Sequence, residues 1–254
     1  MTAAPSAHRI RCGGIWGGIT AVDLDVRTQA INASIQSTAS GGKKGGDIYY
    51  FSVCSSDVLT RIALADMRGH GEQVSRLSQW LYDSLEQRMN SLDGASVLTD
   101  LNGLVYAHGF EALTTAAVVG YYIGDSSLYY SYAGHPPILV RQGHSQWMAR
   151  PIDGNGGPAN LPLGALRTVR YDQEKIGLES GDRIFLYTDG IVECPDPDGE
   201  FYGEARLLDV LERAAGASLT DVKQAVVQSL ASHARGPLIH DDCTLMVVEV
   251  RETA

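Results

Sequence analysis

Hydrophobic positions alternate through residues 58–65, where Val58, Thr60, Ile62 and Leu64 share one face and Leu59, Arg61, Ala63 and Ala65 the other. That period of two predicts a strand, and the apolar run 48–54 predicts its hairpin partner. Residues 72–90 change to a helical period, with Val74, Leu77, Leu81, Leu85 and Met89 along one stripe. A second helix is expected over 95–108, with Val97, Leu98, Leu101, Leu104 and Val105 inward. Residues 112–123 and 128–132 predict another hairpin across Gly124-Asp125-Ser126-Ser127, and 138–141 a further short strand. The stretch 154–162, with three glycines and two prolines, reads as a loop.

A Ser180-Gly181-Asp182 turn introduces a buried strand over 183–188, and 204–214 reads as a helix. Ser218-Leu219-Thr220-Asp221 is a capping box; the helix it opens turns Leu219, Val222, Val226 and Leu230 inward and ends near Gly236-Pro237. Residues 243–250 close the chain as a strand. Hairpin strands in alternation with helix pairs predict antiparallel sheet covered by helices, an α+β layer architecture. No linker, repeat or heptad run divides the sequence, so 1–254 is expected to form one domain, with no sensor or transmembrane domain beside it.

Thirty acidic side chains against twenty basic ones give 254 residues a net charge of −10, which excludes a general nucleic-acid or anionic-membrane surface. The N-terminus lacks an apolar leader, and the most apolar stretch, 112–123, is too short to span a bilayer. Cys12, Cys54, Cys194 and Cys243 form no CxxC pair, so they read as reduced thiols of a cytoplasmic protein. None has the arginine six residues on that a cysteine-nucleophile phosphatase loop requires.

Candidate chemistry lies in aspartates at strand ends. Asp47 follows Gly45-Gly46 at the start of one strand, and Asp66 ends the next, ahead of Gly69-His70-Gly71. Asp189 ends the strand over 183–188, and Asp241, with Asp242 beside it, begins the last. A two-residue turn at Ser56-Asp57 would set Asp47 directly opposite Asp66, with Cβ atoms ~5 Å apart. Carboxylates that close repel each other unless a cation lies between them. A ligand set of oxygens alone favours a hard divalent ion such as Mg²⁺ or Mn²⁺. Aspartates beside glycines are also ordinary turn formers, and these residues alone leave open a metal-dependent hydrolase and a calcium-stabilised fold.

In order along the chain stand GGDIYY (45–50), ADMRGHG (65–71), YAGHPP (132–137), LPLG (161–164), GDRIFLYTDGIVE (181–193), DGEFYG (198–203) and DDCTLMVV (241–248). Together they resemble the SpoIIE-like branch of the PPM metal-dependent protein serine/threonine phosphatases, over about 45–250. The resemblance implies an α-β-β-α sandwich with a centre of two Mn²⁺ or Mg²⁺ ions at one end. It implies Asp47, Asp66 and the Met67 carbonyl as metal ligands on one side and Asp189 and Asp241 on the other. Asp242 would support these ligands or hold a third ion. The implied reaction is in-line attack of a metal-activated water on phosphoserine or phosphothreonine, without a covalent intermediate.

Several positions keep two readings. His70 can act as an acid or orient water, but its glycine turn favours a structural hydrogen bond, as the YAGHPP turn does for His135. Lys43 and Lys44 lie near the place where some relatives carry a phosphate-binding arginine; they either steer a phosphopeptide or are simply solvated. GGKKGG lacks the spacing of a nucleotide-binding P-loop. Tyr50 stands where an acidic residue commonly follows, and the polar Glu72-Gln73-Val74-Ser75-Arg76 where small apolar residues are usual, which implies different regulation or a different partner. By analogy the substrate is a phosphorylated regulatory protein such as an anti-sigma-factor antagonist in a partner-switching pathway. The alternatives are a pseudophosphatase that binds a phosphoprotein without turnover and a hydrolase of small phosphoesters.

Overall fold

The computed structural model describes residues 7–54, 56–152, 160–238 and 240–252. Its strands are β1 (His8–Arg9), β2 (Ile15–Thr20), β3 (Val22–Arg27), β4 (Ile31–Thr38), β5 (Lys44–Val53), β6 (Leu59–Met67), β7 (Thr114–Tyr122), β8 (Ser127–Ala133), β9 (Leu139–Arg141), β10 (Met148–Ala149), β11 (Gln173–Gly177), β12 (Arg183–Tyr187) and β13 (Cys243–Val250). The helices are α1 (Ser75–Glu86), α2 (Gly94–His108), α3 (Asp189–Val192), α4 (Gly203–Arg213) and α5 (Leu219–Ala234). One sheet runs β1-β3-β4-β13-β12-β9-β10 and the other β11-β8-β7-β6-β5-β2. Among the described residues every pairing of these strands is antiparallel except the short β1–β3 contact.

Alternation along the strands builds the layers. On β5, Tyr49, Phe51 and Val53 enter the core between the sheets, while Ile48 and Tyr50 face the core under α1 and α2. On β12, Ile184 and Leu186 point between the sheets, and Phe185 and Tyr187 pack beneath α4 and α5. Three apolar cores thus separate four layers, the α-β-β-α sandwich expected from the resemblance. The same parity places Asp47, Asp66, Thr188 and Asp242 on the inter-sheet side, at one end of the sandwich.

The expected hairpin register holds, with Asp47 opposite Asp66. Its turn is looser than a two-residue one: the ladder ends at Val53 and Thr60, and Asp57 adopts φ +58°. The helix read over 72–90 is shorter, a 3₁₀ turn over Gly71–Gln73 followed by α1, with Met89 still buried beyond its end. The loop read over 154–162 falls, as far as residue 159, outside the described residues.

Strands β1 to β4, β10 and β11 went unread in the sequence. Ser34 and Ser37 of β4 are buried polar residues that interrupt an apolar rhythm. In β2, Gly17 packs so closely that a Cβ there would lie 2.3 Å from the Tyr49 carbonyl oxygen. β11, a polar edge strand, has no fully buried residue. Among the described residues no helix is long and apolar enough to cross a membrane.

Candidate metal centre

Asp47 is 2% exposed at the start of β5. Thr188, in the other sheet's layer, donates its hydroxyl to Asp47 Oδ2 at 2.9 Å while accepting from the Thr244 backbone N–H at 3.0 Å. Asp47 Oδ1 is buried and has no hydrogen-bond partner. Asp66, directly across the ladder, lies in the electrostatic field of Asp189, the first residue of the single-turn α3. Asp241 interacts electrostatically with Asp189, Asp242 and the exposed His70.

Burial, and then the charges of Asp242 and Asp241, raise the Asp47 carboxyl well above the usual range, against the neighbouring hydroxyls of Thr244 and Thr188. Asp66 is likewise raised, first by burial and then by Asp47, Asp189 and Asp241. Asp241 moves upward mainly through burial. Glu193, one helical turn after Asp189, is pushed up by burial and by Asp189 and Asp241, so a further acid feels the same field.

Asp242 has a different task. Its Oδ1 accepts the Ser40 N–H at 2.6 Å, and its Oδ2 accepts those of Gly46 at 2.5 Å and Gly71 at 2.9 Å. One carboxylate thereby ties the β4–β5 connection, the start of β5 and the turn after β6 to the start of β13. The glycines make room: a Cβ on Gly45 would meet the Asp242 carboxylate at 2.7 Å. One on Gly46 would lie 2.7 Å from the Gly69 carbonyl oxygen and 2.9 Å from that of Met67, so only glycine fits between these groups. A Cβ on Gly190 would strike the Asp242 carbonyl at 2.1 Å.

Among the described residues no three acidic, histidine or cysteine side chains close on one point as a finished ligand cage. The chemistry of the set nevertheless fits divalent cations: oxygens only, mutually repelling, and including a buried carboxylate oxygen that no donor satisfies.

The remaining candidates fall around this end. His70 caps nothing with its side chain, so the structural hydrogen bond favoured for it does not take the form of a helix cap. His135 is buried; its Nδ1 donates to the Pro136 carbonyl at 2.9 Å, and burial lowers its pKa to about 4. Lys43 and Lys44 are exposed at the entry to β5. Tyr50 turns away from the carboxylates into the core under α1, 6.1 Å from the Tyr82 ring, so it replaces no contact at the site. Glu72, Gln73 and Arg76 are exposed to solvent.

Sequence reading missed Thr188, although it immediately precedes Asp189, and the three N–H groups that hold Asp242. It also missed Arg68, which directly follows Met67 and stacks 4.4 Å above the ring of Phe110, itself 66% exposed.

A family model described as stage II sporulation protein E (SpoIIE) matches residues 56–251. The chain belongs to the SpoIIE family. It is 26% identical over 208 residues to phosphoserine phosphatase RsbU of Bacillus subtilis, covering 80% of this chain and 58% of RsbU. With protein IcfG of Synechocystis it shares 27% identity over 142 residues, 56% of this chain and 21% of that one. The chain therefore spans less than two thirds of either relative. Among solved structures, RsbX in complex with magnesium superposes with a TM-score of 0.66 over 90% of this chain and all of RsbX, at 17% identity. That similarity is one of fold.

Proposed function

We propose that this SpoIIE-family chain is a metal-dependent protein serine/threonine phosphatase. The observation that carries the proposal is the opposition of buried Asp47 and half-buried Asp66, both raised in pKa, with one Asp47 oxygen unsatisfied. Asp47, Asp66 and the Met67 carbonyl would hold one side of a two-ion centre, with Asp189 and Asp241 on the other. Bound there, Mn²⁺ or Mg²⁺ ions supply charge neutralisation for phosphoryl oxygens and a water acidic enough to attack phosphorus.

The chain's own residues set the geometry. Thr188 fixes Asp47 Oδ2 and leaves Oδ1 for a cation. Asp242 spends its oxygens on three backbone N–H groups, so its part is to hold loops in place while its neighbours bind. His70, exposed beside Asp241, is placed to orient water or give a proton to the departing serine oxygen. Arg68, Lys43 and Lys44 are the basic groups at the rim that a phosphate meets on approach. The likeness to a phosphoserine phosphatase supports a phosphorylated regulator as substrate, and an anti-sigma-factor antagonist is the partner class we propose.

Hydrolysis of a phosphoserine peptide with added Mn²⁺ or Mg²⁺ tests the reading. Asp47→Asn and Asp189→Asn should abolish turnover while the circular-dichroism spectrum is kept; retained activity in either purified variant refutes the assignment. No turnover with any divalent ion, but retained phosphopeptide binding, would establish the binding-only alternative. Preference for nucleotide or sugar phosphates would establish a small-phosphoester hydrolase.

A further inference from the structure

At the opposite end of the sandwich the charges reverse. β1 runs parallel to β3 with Arg9 directly beside Arg27. Like charges so placed on neighbouring strands repel and cost stability. Arg11 and Arg251 join them around a pocket of about 300 Å³, with Thr28 and a single carboxylate, Asp57, in its wall. Four of the chain's sixteen arginines therefore share one cavity in a protein of net charge −10. None of the four forms an ion pair with a carboxylate among the described residues.

Arg251 is held in place: its Nη1 donates to the carbonyls of Thr28 at 2.7 Å and Gln29 at 2.9 Å. Burial and then the charges of Arg27 and Arg9 lower its pKa, as expected for guanidiniums facing one another without an anion. The pocket is remote from the carboxylates. β13 leads from Asp242 to Arg251, about 30 Å along a strand at ~3.3 Å per residue.

Guanidinium forks bind phosphate oxygens in pairs, and several converging forks need a ligand with more than one such group. A cavity at the small end of the range for ligand pockets admits a small molecule sooner than a folded surface. We propose that this pocket binds a small polyanion carrying two or more phosphate groups, at a site separate from the metal centre.

Calorimetric titration of the full chain in EDTA with tripolyphosphate, pyrophosphate and orthophosphate tests this. Without divalent ions the carboxylate end repels anions, so saturable binding reports the arginine end. The expected result is one site per chain, tightest for tripolyphosphate and weakest for orthophosphate. Arg9→Gln/Arg27→Gln, checked for folding by circular dichroism, should weaken tripolyphosphate at least tenfold, while Asp47→Asn binds it as the unaltered chain does. If the double variant does not fold, Arg11→Gln, on the exposed segment after β1, should weaken binding severalfold. No saturable binding at millimolar tripolyphosphate would overturn the proposal, as would unchanged affinity in the folded arginine variants. Tighter binding of an oligoglutamate peptide than of tripolyphosphate would overturn the choice of ligand.

Discussion

The two ends of this sandwich place like charges across neighbouring strands, Asp47 against Asp66 at one end and Arg9 beside Arg27 at the other. What surrounds them differs. The aspartates are buried or half-buried, with Thr188, Thr244 and the backbone of Ser40, Gly46 and Gly71 fixing them and their neighbour Asp242. Of the four pocket arginines, Arg9 and Arg11 are exposed, and among the described residues only Arg251 has its side chain tied to backbone carbonyls. A rigid, desolvated cluster demands a small cation of defined geometry. A solvated, adjustable one suits an anion that comes and goes. Burial and preorganisation, more than the sign of the charge, separate the proposed metal centre from the proposed anion site.

The largest contrast should appear in turnover. Asp47→Asn should lower phosphopeptide hydrolysis on the order of a hundredfold or more, the scale for loss of a preorganised group at a reacting centre. Arg9→Gln/Arg27→Gln should leave turnover within twofold in the same stopped assay. A fall in both variants would erase the distinction between the ends.

Stability comes next. Asp242→Ala strands three buried N–H groups and should cost about 3 kcal/mol or more in urea unfolding, given ~1–3 kcal/mol for each unsatisfied buried group. Gly190→Ala must displace the Asp242 carbonyl, and a loss of about 1–3 kcal/mol is expected by the same measurement.

The pH dependence follows from Asp47 and Asp66, whose values in the fold lie above the ordinary 3.8. Above 3.8 the native state keeps protons that the unfolded chain has released. The resulting stabilisation is full below that value and is lost as pH rises through the raised ones. In EDTA the melting temperature should therefore fall as pH climbs from 4 through the raised values. Saturating Mn²⁺ should reverse the slope; parallel profiles with and without Mn²⁺ would show that the carboxylates hold no ion.

Smaller effects belong to the rim and the far end. Arg68→Ala should raise KM for a phosphopeptide a fewfold with kcat nearly unchanged, since its guanidinium rests on an exposed ring outside the carboxylate cluster. Arg9→Gln alone should stabilise the anion-free protein by a few tenths of a kcal/mol through relief of the Arg9–Arg27 repulsion.

The two kinds of pole were unequally legible. The hairpin carrying Asp47 and Asp66 could be read because local alternation and a nearby turn determine its register. Motif order brought Asp189 and Asp241 to the same place. The resemblance allowed Asp242 a supporting part, but its partners could not be read, being main-chain groups of Ser40, Gly46 and Gly71 that have no sequence signature. Thr188 acts across the sheets, a relation that only the packed layers reveal. The arginine pocket draws on residues 9 to 251, and its central pair depends on a parallel contact between strands too short or too polar to stand out.

The Thr188–Asp47 bond crosses the seam between two layers, beside the bonds from Gly46 and Gly71 to Asp242 that cross it at the same end. Sliding one sheet over the other by a single residue's rise, ~3.3 Å, would part the opposing walls of the cation cradle while leaving each ladder intact. In the proposed metal centre, alignment of the two sheets would thus matter as much as the integrity of either one.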